Sequence, residues 1–285
     1  MLNYGDTIGI IALSGNCDKE KIENAKTNFE DLGYKVKLSQ NIYEKNRYLA
    51  GSDEDKISEL HSFFKDDEVK LILCARGGYG AIRLINKIDY GIIKSNPKPF
   101  CGFSDVTALL LMIYRKAGII TYHGPMACSD FGVKDNDFTQ KAFFDAINDK
   151  KLIFNGESAY NNGSAKGILW GGNLATVVSL CGQDFIPYRD FIFFAEDLNE
   201  PVYEIDRMFQ QLINIKQFHK YCKGIVIGDF LDVDNLKWLE EYFIELANKL
   251  KIPIVEGFKI THSQEKITLP IGKVAKLDEK TLIID

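Results

Sequence analysis

The chain has 285 residues, of which 46% are hydrophobic and 26% charged, an ordinary composition for a globular protein. Its formal net charge of −5 and its lack of clustered Lys and Arg argue against a nucleic-acid partner, because binding to phosphates needs concentrated positive charge. Six cysteines without CxxC spacing argue against a zinc site and against a disulfide framework. They indicate reduced thiols and therefore a cytoplasmic protein.

The N-terminal sequence MLNYGDTIGIIALSG predicts neither a signal peptide nor a membrane span. It lacks a basic start and a small-residue cleavage site. Its apolar run, residues 8–13, is too short to cross a bilayer. We therefore expect no membrane partner.

Strand and helix patterns alternate along the first half of the chain. Short apolar runs typical of buried parallel strands are followed by segments with helical spacing. The predicted strands are 8–13, 34–38, 69–74, 99–102 and 119–122, and the predicted helices are 19–32, 53–64, 81–88 and 106–117. This alternation predicts an open, mostly parallel sheet with helices on both faces, and functional loops beyond the carboxyl ends of its strands.

The pattern changes after about residue 144. Residues 155–167 are rich in Asn, Gly and Ser, which predicts a loop or linker. We therefore expect a first domain over 1–150, a linker over 151–167 and a second, mixed α/β domain over 168–285. The second domain is predicted to have strands at 167–170, 191–195, 224–228 and 253–256, helices at 174–180, 202–215 and 236–250, and a hairpin about 278–279.

The segment 98–112, KPFCGFSDVTALLLM, carries the strongest chemical signal. Ser104 lies between a predicted buried strand and an apolar helix, which is the setting of a nucleophile elbow. Gly102 fits the usual G-x-S-x-G pattern, whereas the second glycine is absent. The alternative is that Ser104 and Asp105 are ordinary helix N-cap residues.

Four histidines limit the search for a catalytic base. His61 and His219 lie within or near predicted helices and favour structural roles. His123 and His262 both follow predicted strands, and the residues alone do not decide between them. Glu196 closes the apolar run FIFFA, so its carboxylate is expected to need a partner such as an imidazole. The alternative is that it caps the helix that begins near residue 201.

The motif ARGGYG follows another predicted strand. Gly77 and Gly78 allow close approach of backbone N–H groups, and one of them together with the N–H of Asp105 would form an oxyanion hole. A phosphate cradle is the alternative, but the motif lacks the P-loop Gly-Lys-Ser/Thr and the Rossmann spacing.

Seven motifs, in order along nearly the whole chain, resemble those of the LD-carboxypeptidase family of serine peptidases. They are GDTIGIIALSG, RGGYGAIRLI, GFSDVTALL, YHGP, GGNL, FAEDLNEPVYEIDRMFQQL and GFKITHSQEKITLPIG. The resemblance implies a nucleophile at Ser104, a triad carboxylate at Glu196 and a base at His262, which decides against His123. Thr261 departs from the family, which usually has Gly before this histidine.

The resemblance also implies a fold and a function. The first domain would be flavodoxin-like, similar to class I glutamine amidotransferases, and the active site would lie between it and a smaller mixed α/β domain. The reaction would release a C-terminal D-alanine from muropeptides during cell-wall recycling in the cytoplasm, with no metal or other cofactor. A small peptide is the expected partner, and a homodimer is left open.

Arg76, beside the glycine motif, is a candidate for holding the C-terminal carboxylate of such a substrate, with a structural ion pair as the alternative. Two other functions compete with the muropeptide activity. One is a microcin-immunity peptidase that cleaves an aminoacyl-nucleotide. The other is a peptide-binding module without catalysis, against which the presence of all three triad residues argues.

Overall fold

The computed structural model describes residues 1–133 and 136–285. They form two compact units. The first contains Met1–Asp149 and Ile267–Pro270, and the second contains Lys150–Lys266 and Ile271–Asp285. Each unit combines helices with one sheet, so the fold is mixed α/β with two sheets. Within the described residues, no helix has both the length and the hydrophobicity needed to cross a membrane.

The first unit is built on a six-stranded sheet in the order β12-β5-β4-β3-β1-β2. Its strands are β1 (Thr7–Ile11), β2 (Lys35–Leu38), β3 (Val69–Cys74), β4 (Phe100–Gly102), β5 (Thr121–His123) and β12 (Leu269–Ile271). All pairings among β1 to β5 are parallel, which confirms the predicted parallel sheet. The carboxyl ends of these strands therefore meet at one edge, where the loops carry ARGGYG and GFSD.

The helices of the first unit begin and end at residues that the sequence marks. They are α1 (Lys19–Asp31), α2 (Asp53–Lys65), α3 (Tyr90–Ser95), α4 (Thr107–Ala117) and α5 (Asp137–Ile147). Asp18 and Ser52 cap α1 and α2 by accepting backbone N–H bonds, and α4 ends at Gly118, which has a φ of 75°. Seven consecutive buried residues of α4, 107–113, form a central part of the core.

One predicted helix of this unit is wrong. Residues 81–88 form only a 3-10 turn, Ala81–Arg83, before α3. The side chain of Asp89 accepts the N–H groups of Gly91 and Ile92, so the next helix begins there. A local cap thus overrides the apolar spacing that predicted a longer helix.

The second unit is built on an eight-stranded sheet in the order β6-β14-β13-β8-β9-β10-β11-β7. Its strands are β6 (Leu152–Asn155), β7 (Ser158–Asn161), β8 (Ser164–Asn173), β9 (Phe191–Leu198), β10 (Cys222–Leu231), β11 (Ile254–Glu256), β13 (Val274–Asp278) and β14 (Thr281–Ile284), and its helices are α6 (Leu174–Ser179), α7 (Val202–Ile213), α8 (Lys216–Tyr221) and α9 (Leu236–Leu250). The central strands β8 to β11 are parallel, and antiparallel strands flank them. Trp170 anchors the core, where its ring contacts those of Phe185, Phe191, Phe193 and Phe218.

The segment 151–167, expected to be a linker, instead forms β6, β7 and the start of β8. Its Asn, Gly and Ser residues supply the turns between these short strands. The strands pair with β14, β11 and β13, which lie far along the chain. Long-range backbone pairing therefore decides the structure of a segment whose composition favours a loop.

Candidate active site

Ser104 lies on a strained turn between β4 and α4. Phe103 is extended, with φ −152° and ψ −170°, and Ser104 has a φ of 60°. The chain then forms the 3-10 turn Ser104–Val106 and continues into α4. A left-handed conformation costs a non-glycine residue of order 1–3 kcal/mol and is typical of functional turns. No side chain caps the 3-10 turn, so the interpretation of Ser104 and Asp105 as N-cap residues is wrong.

Two glycines allow close packing around the serine turn. A Cβ atom on Gly102 would lie 2.8 Å from Cγ1 of Val106 and 3.1 Å from Cβ of Cys74. A Cβ atom on Gly77 would lie 2.9 Å from Cβ and 3.0 Å from Oγ of Ser104. The loop after β3 is therefore packed directly against the side chain of Ser104, and only glycine fits at both positions.

Backbone N–H donors lie in the loop that packs against Ser104 and in the serine turn itself. Within residues 1–133 and 136–285, the N–H groups of Gly77 and Gly78 find no hydrogen-bond acceptor. Gly78 has a φ of 112°. The N–H of Asp105 belongs to the first turn after β4, where N–H groups lack intrahelical acceptors, and its nitrogen would lie 3.6 Å from a Cβ atom on Gly77. This arrangement suits an oxyanion hole, and the role of these three residues as its donors stays a prediction.

The side chain of Asp105 connects the serine turn to the glycine loop. It is buried, and its Oδ2 accepts the N–H of Ala81 at 2.8 Å. Burial raises the pKa of this carboxyl above its ordinary value, while the bond from Ala81 and the nearby charge of Lys56 act in the opposite direction. The sequence pointed to the backbone N–H of Asp105 and, as an alternative, to a helix N-cap, so this contact was missed.

A second buried carboxylate holds the same loop to α2. Asp53 forms ion pairs with the buried Lys56 at 3.3 Å and with Arg83 at 2.9 Å. The hydrogen bond from Arg83 and those from its lysine partners lower the pKa of Asp53 to about 2, although burial opposes them. Because Arg83 lies just beyond ARGGYG, this ion-pair cluster fixes the far end of the glycine loop.

In the second unit, Glu196 and His262 form a hydrogen-bonded pair. Glu196 lies near the end of β9 and is fully buried, and His262 lies in the loop after β11 with a side chain that is 16% exposed. The imidazole Nδ1 lies 2.7 Å from Oε2 of Glu196. Burial lowers the pKa of His262, but the hydrogen bond and charge of Glu196 outweigh it, so the pKa is raised. A carboxylate on Nδ1 orients the imidazole and stabilises the positive charge that forms when Nε2 takes a proton.

Glu196 does not cap α7, so that alternative is wrong. The N-cap of α7 is Pro201, without a side-chain bond, and the N–H of Val202 is accepted by Asp234 instead. The carboxylate of Glu196 is therefore directed to the histidine.

Asp197, the next residue, anchors the strand end. Its Oδ1 accepts from the side-chain amide of Asn173 at 2.8 Å, and its Oδ2 accepts the N–H of Ala175 at 2.8 Å. Asn173, paired with Glu196 across β8 and β9, also caps α6. Burial raises the pKa of Asp197, and these hydrogen bonds oppose that shift. The sequence analysis did not identify this role of Asp197.

The remaining candidates have other surroundings. His123 ends β5, is 3% exposed, and packs edge-on against the ring of Phe103. The Nε2 of His61 accepts the N–H of Asp89, a structural contact. Among the described residues, no group of three or more His, Cys, Asp or Glu side chains is arranged to hold a metal ion.

Comparison with known proteins identifies both parts of the chain. Residues 8–124 match the family model of the LD-carboxypeptidase N-terminal domain, and residues 166–277 match that of the C-terminal domain. A probable murein peptide carboxypeptidase from Bacillus subtilis is 36% identical, over 100% of this chain and 93% of that protein.

Solved structures agree over nearly the full length. A muramoyltetrapeptide carboxypeptidase from Oxalobacter formigenes superposes with a TM-score of 0.90 and 28% identity, covering 98% of both chains. An MccF-like protein from Bacillus anthracis superposes with a TM-score of 0.91 and 28% identity, covering 99% of this chain and 97% of that one. The chain belongs to the LD-carboxypeptidase family and is a serine-type carboxypeptidase.

Proposed function

We propose that the enzyme removes a C-terminal D-amino acid from muropeptides by hydrolysing the bond between an L-residue and D-alanine. In this proposal Ser104 is the nucleophile, His262 the base and Glu196 the residue that orients the base. The 2.7 Å bond between His262 and the buried Glu196 carries the assignment, because it fixes the imidazole and raises its pKa. The names of the similar carboxypeptidases support the substrate class.

The proposed reaction proceeds through an acyl-enzyme. His262 takes the proton of the Ser104 hydroxyl at Nε2 as Oγ attacks the scissile carbonyl carbon. The N–H of Asp105 and one from Gly77 or Gly78 hold the oxyanion that forms. When the C–N bond breaks, His262 gives its proton to the leaving amine of D-alanine. Water then attacks the ester carbonyl carbon and gives a proton to His262. His262 passes this proton to Oγ of Ser104 as the ester C–O bond breaks, which releases the shortened peptide and restores the Ser104 hydroxyl.

The strain at Ser104 fits this role. A left-handed serine directs its hydroxyl away from the strand, and Gly77 gives the loop its close approach to that side chain.

A second candidate is an activity of the microcin-immunity type, on an aminoacyl-nucleotide. The similarity to the MccF-like protein over nearly the whole chain favours it. Both reactions would use the same triad, so only the substrate distinguishes them.

We also propose a cytoplasmic location, which is supported by six free cysteines. A homodimer stays a prediction, and light scattering of the purified protein would test it.

Mass spectrometry of defined substrates tests the proposed function. The purified protein is incubated with a muropeptide tetrapeptide ending in L-Lys-D-Ala, with its L-Ala epimer, and with an aminoacyl-nucleotide. We expect loss of one alanine from the first peptide only. Cleavage of the nucleotide alone would favour the second candidate, and equal cleavage of both epimers would contradict specificity for a D-residue. Ser104→Ala and His262→Ala serve as inactive controls, while His123→Asn is expected to retain turnover.

A further inference from the structure

A cavity of about 550 Å³ lies in the first unit, at the carboxyl edge of its sheet. It is lined by Gly15, Asn16, Tyr48, Arg76, Gly78 and Tyr79. These residues come from the segments after β1, β2 and β3. The cavity adjoins Gly77, where an added Cβ atom would lie 2.9 Å from Cβ of Ser104. It therefore opens beside the proposed nucleophile.

Arg76 brings an uncompensated positive charge to this cavity. Its Nε donates to the carbonyl of Gly77, and its Nη1 donates to the carbonyl of Asn16, both at 3.2 Å. In the described part of the chain, no acidic group lies within ion-pair distance of Arg76, so a structural ion pair is not its role. A guanidinium has five N–H donors, and two bonds leave three of them for a ligand.

The fixed position of this guanidinium favours recognition of a carboxylate. Two backbone carbonyls hold the planar group in place, so little further ordering is needed when a ligand binds. Guanidinium and carboxylate match each other through paired N–H···O bonds.

Two tyrosines form an exposed aromatic wall of the cavity. Tyr48 is 56% exposed and Tyr79 is 47% exposed, and their ring centroids lie 5.8 Å apart in an edge-on arrangement. The guanidinium of Arg47 lies 5.5 Å from the ring of Tyr48. Backbone bonds between Ser14 and Ala50 and a bridge between Gly15 and Leu49 hold the tyrosine-bearing segment in place. Paired exposed rings on an anchored segment suit packing against a peptide chain.

We propose that this cavity binds the muropeptide chain, with Arg76 paired to a substrate carboxylate and Tyr48 and Tyr79 packed against the peptide. The inference rests on the proposed function and adds the group that recognises the substrate. A tetrapeptide with γ-linked D-Glu offers two such carboxylates, at the C-terminal D-alanine and at the α-position of D-Glu. A single alanine fills only a small part of a cavity of this size, so neighbouring residues of the peptide occupy the rest.

The test compares three tetrapeptides with three proteins. The peptides are the parent, its C-terminal amide, and the analogue with D-isoglutamine in place of D-Glu. The proteins are the unsubstituted chain, Arg76→Gln and the control Arg189→Gln. Arg189 is exposed and precedes β9, at the opposite end of that strand from Glu196. The values of kcat and KM are measured for each pair.

We expect Arg76→Gln to lower kcat/KM on the parent peptide about 10- to 100-fold, mainly through KM, because a charge-assisted bond to the substrate is lost. The analogue that lacks the carboxylate bound by Arg76 should have the same kcat/KM with Arg76→Gln as with the unsubstituted chain. This analogue therefore identifies which of the two carboxylates Arg76 recognises. Arg189→Gln should behave like the unsubstituted chain. In Tyr48→Ala, KM for the parent should also rise, whereas Tyr48→Phe should retain the normal value.

Two results would overturn the inference. Equal loss on all three peptides would mean that Arg76 only supports the carbonyls of Gly77 and Asn16. Unchanged kinetics in Arg76→Gln would mean that Arg76 does not contribute to recognition of the substrate. In both cases the unsubstituted chain still cleaves the parent peptide, so the proposed function stands. If the folded, unsubstituted chain cleaves none of the three peptides, the proposed function fails and this inference fails with it.

Discussion

Replacing Glu196 with Gln removes one charge from a buried pair while it keeps the shape of the side chain. Glu196 is fully buried, and its Oε2 lies 2.7 Å from Nδ1 of His262. In the proposed mechanism His262 becomes positively charged as Ser104 attacks, so the carboxylate stabilises the transition state more than the resting enzyme.

The expected loss follows from the geometry of the pair. With charge centres about 4 Å apart and an effective dielectric constant of about 20, the attraction is about 4 kcal/mol. Each 1.36 kcal/mol corresponds to about tenfold in rate, so kcat should fall about 10³-fold.

The pH profile should change in a defined direction. The free enzyme needs a neutral His262, so kcat/KM rises as pH rises through the pKa of this residue. Burial lowers that pKa, but Glu196 raises it above the ordinary value of 6.5, so the acid limb of the unsubstituted enzyme lies above pH 6.5. In Glu196→Gln this charge no longer opposes the effect of burial on the pKa of His262, so the acid limb should move to lower pH.

The assay is D-alanine release from a tetrapeptide between about pH 5 and pH 9. Glu256→Gln is the matched control, since Glu256 also lies on a strand of the second unit but accepts hydroxyl groups from Ser158 and Tyr160. It should keep the normal profile. An acid limb that does not move in Glu196→Gln, or a loss in kcat below about tenfold, would refute the role of this carboxylate.

Substitutions at Ser104, Gly77 and Asp53 test the first unit. Ser104→Ala and Ser104→Gly should both lower turnover by about 10³-fold or more. The glycine variant should be about 1 kcal/mol more stable towards urea than the alanine variant, because glycine adopts a φ of 60° without strain. Equal stability of the two variants would argue against strain at this turn. Gly77→Ala brings a Cβ to 2.9 Å from Cβ of Ser104 and should reduce kcat at least tenfold, whereas Gly118→Ala, with open space around its Cβ, should affect only the melting temperature. Asp53→Asn leaves Lys56 buried without its counter-charge and should lower the unfolding free energy by about 3 kcal/mol. Because the pKa of Asp53 falls from 3.8 to about 2 on folding, its contribution is complete above pH 3.8 and disappears as pH falls through about 2, so urea melts of the two proteins should converge there.

The parallel sheet of the first unit could be predicted from the sequence because buried strands form continuous apolar runs with helices between them. The strand Leu269–Ile271 could not, since three residues carry too little pattern and its neighbour β5 lies far earlier in the chain. The linker predicted over 151–167 was wrong for a related reason. The edge strands of this segment form by pairing with strands elsewhere in the sheet, whereas the amino-acid composition of the segment indicates only its turns.

The sequence predicted some features of the candidate site and not others. The strand-turn-helix pattern pointed to Ser104, but its left-handed backbone can be seen only in the structure. Local sequence could not decide between His123 and His262, because the partner of His262 lies 66 residues away on another strand. The family motifs supplied that pairing. Buried partners of side chains, such as Ala81 for Asp105, leave no signal in the sequence.

Asp105 and Asp197 occupy equivalent places in the two units. Each directly follows a proposed catalytic residue at the end of a parallel strand, and burial raises the pKa of each. Each accepts a backbone N–H from the segment after a glycine motif of the neighbouring strand, Ala81 after ARGGYG, which follows β3, and Ala175 after GGN, which ends β8. A buried carboxylate that accepts a backbone N–H is costly to misplace, because its charge would then lack a partner. Each proposed catalytic residue is thus followed by a side chain that fixes its strand end, so the serine turn and the glutamate that orients His262 are each held by their own unit.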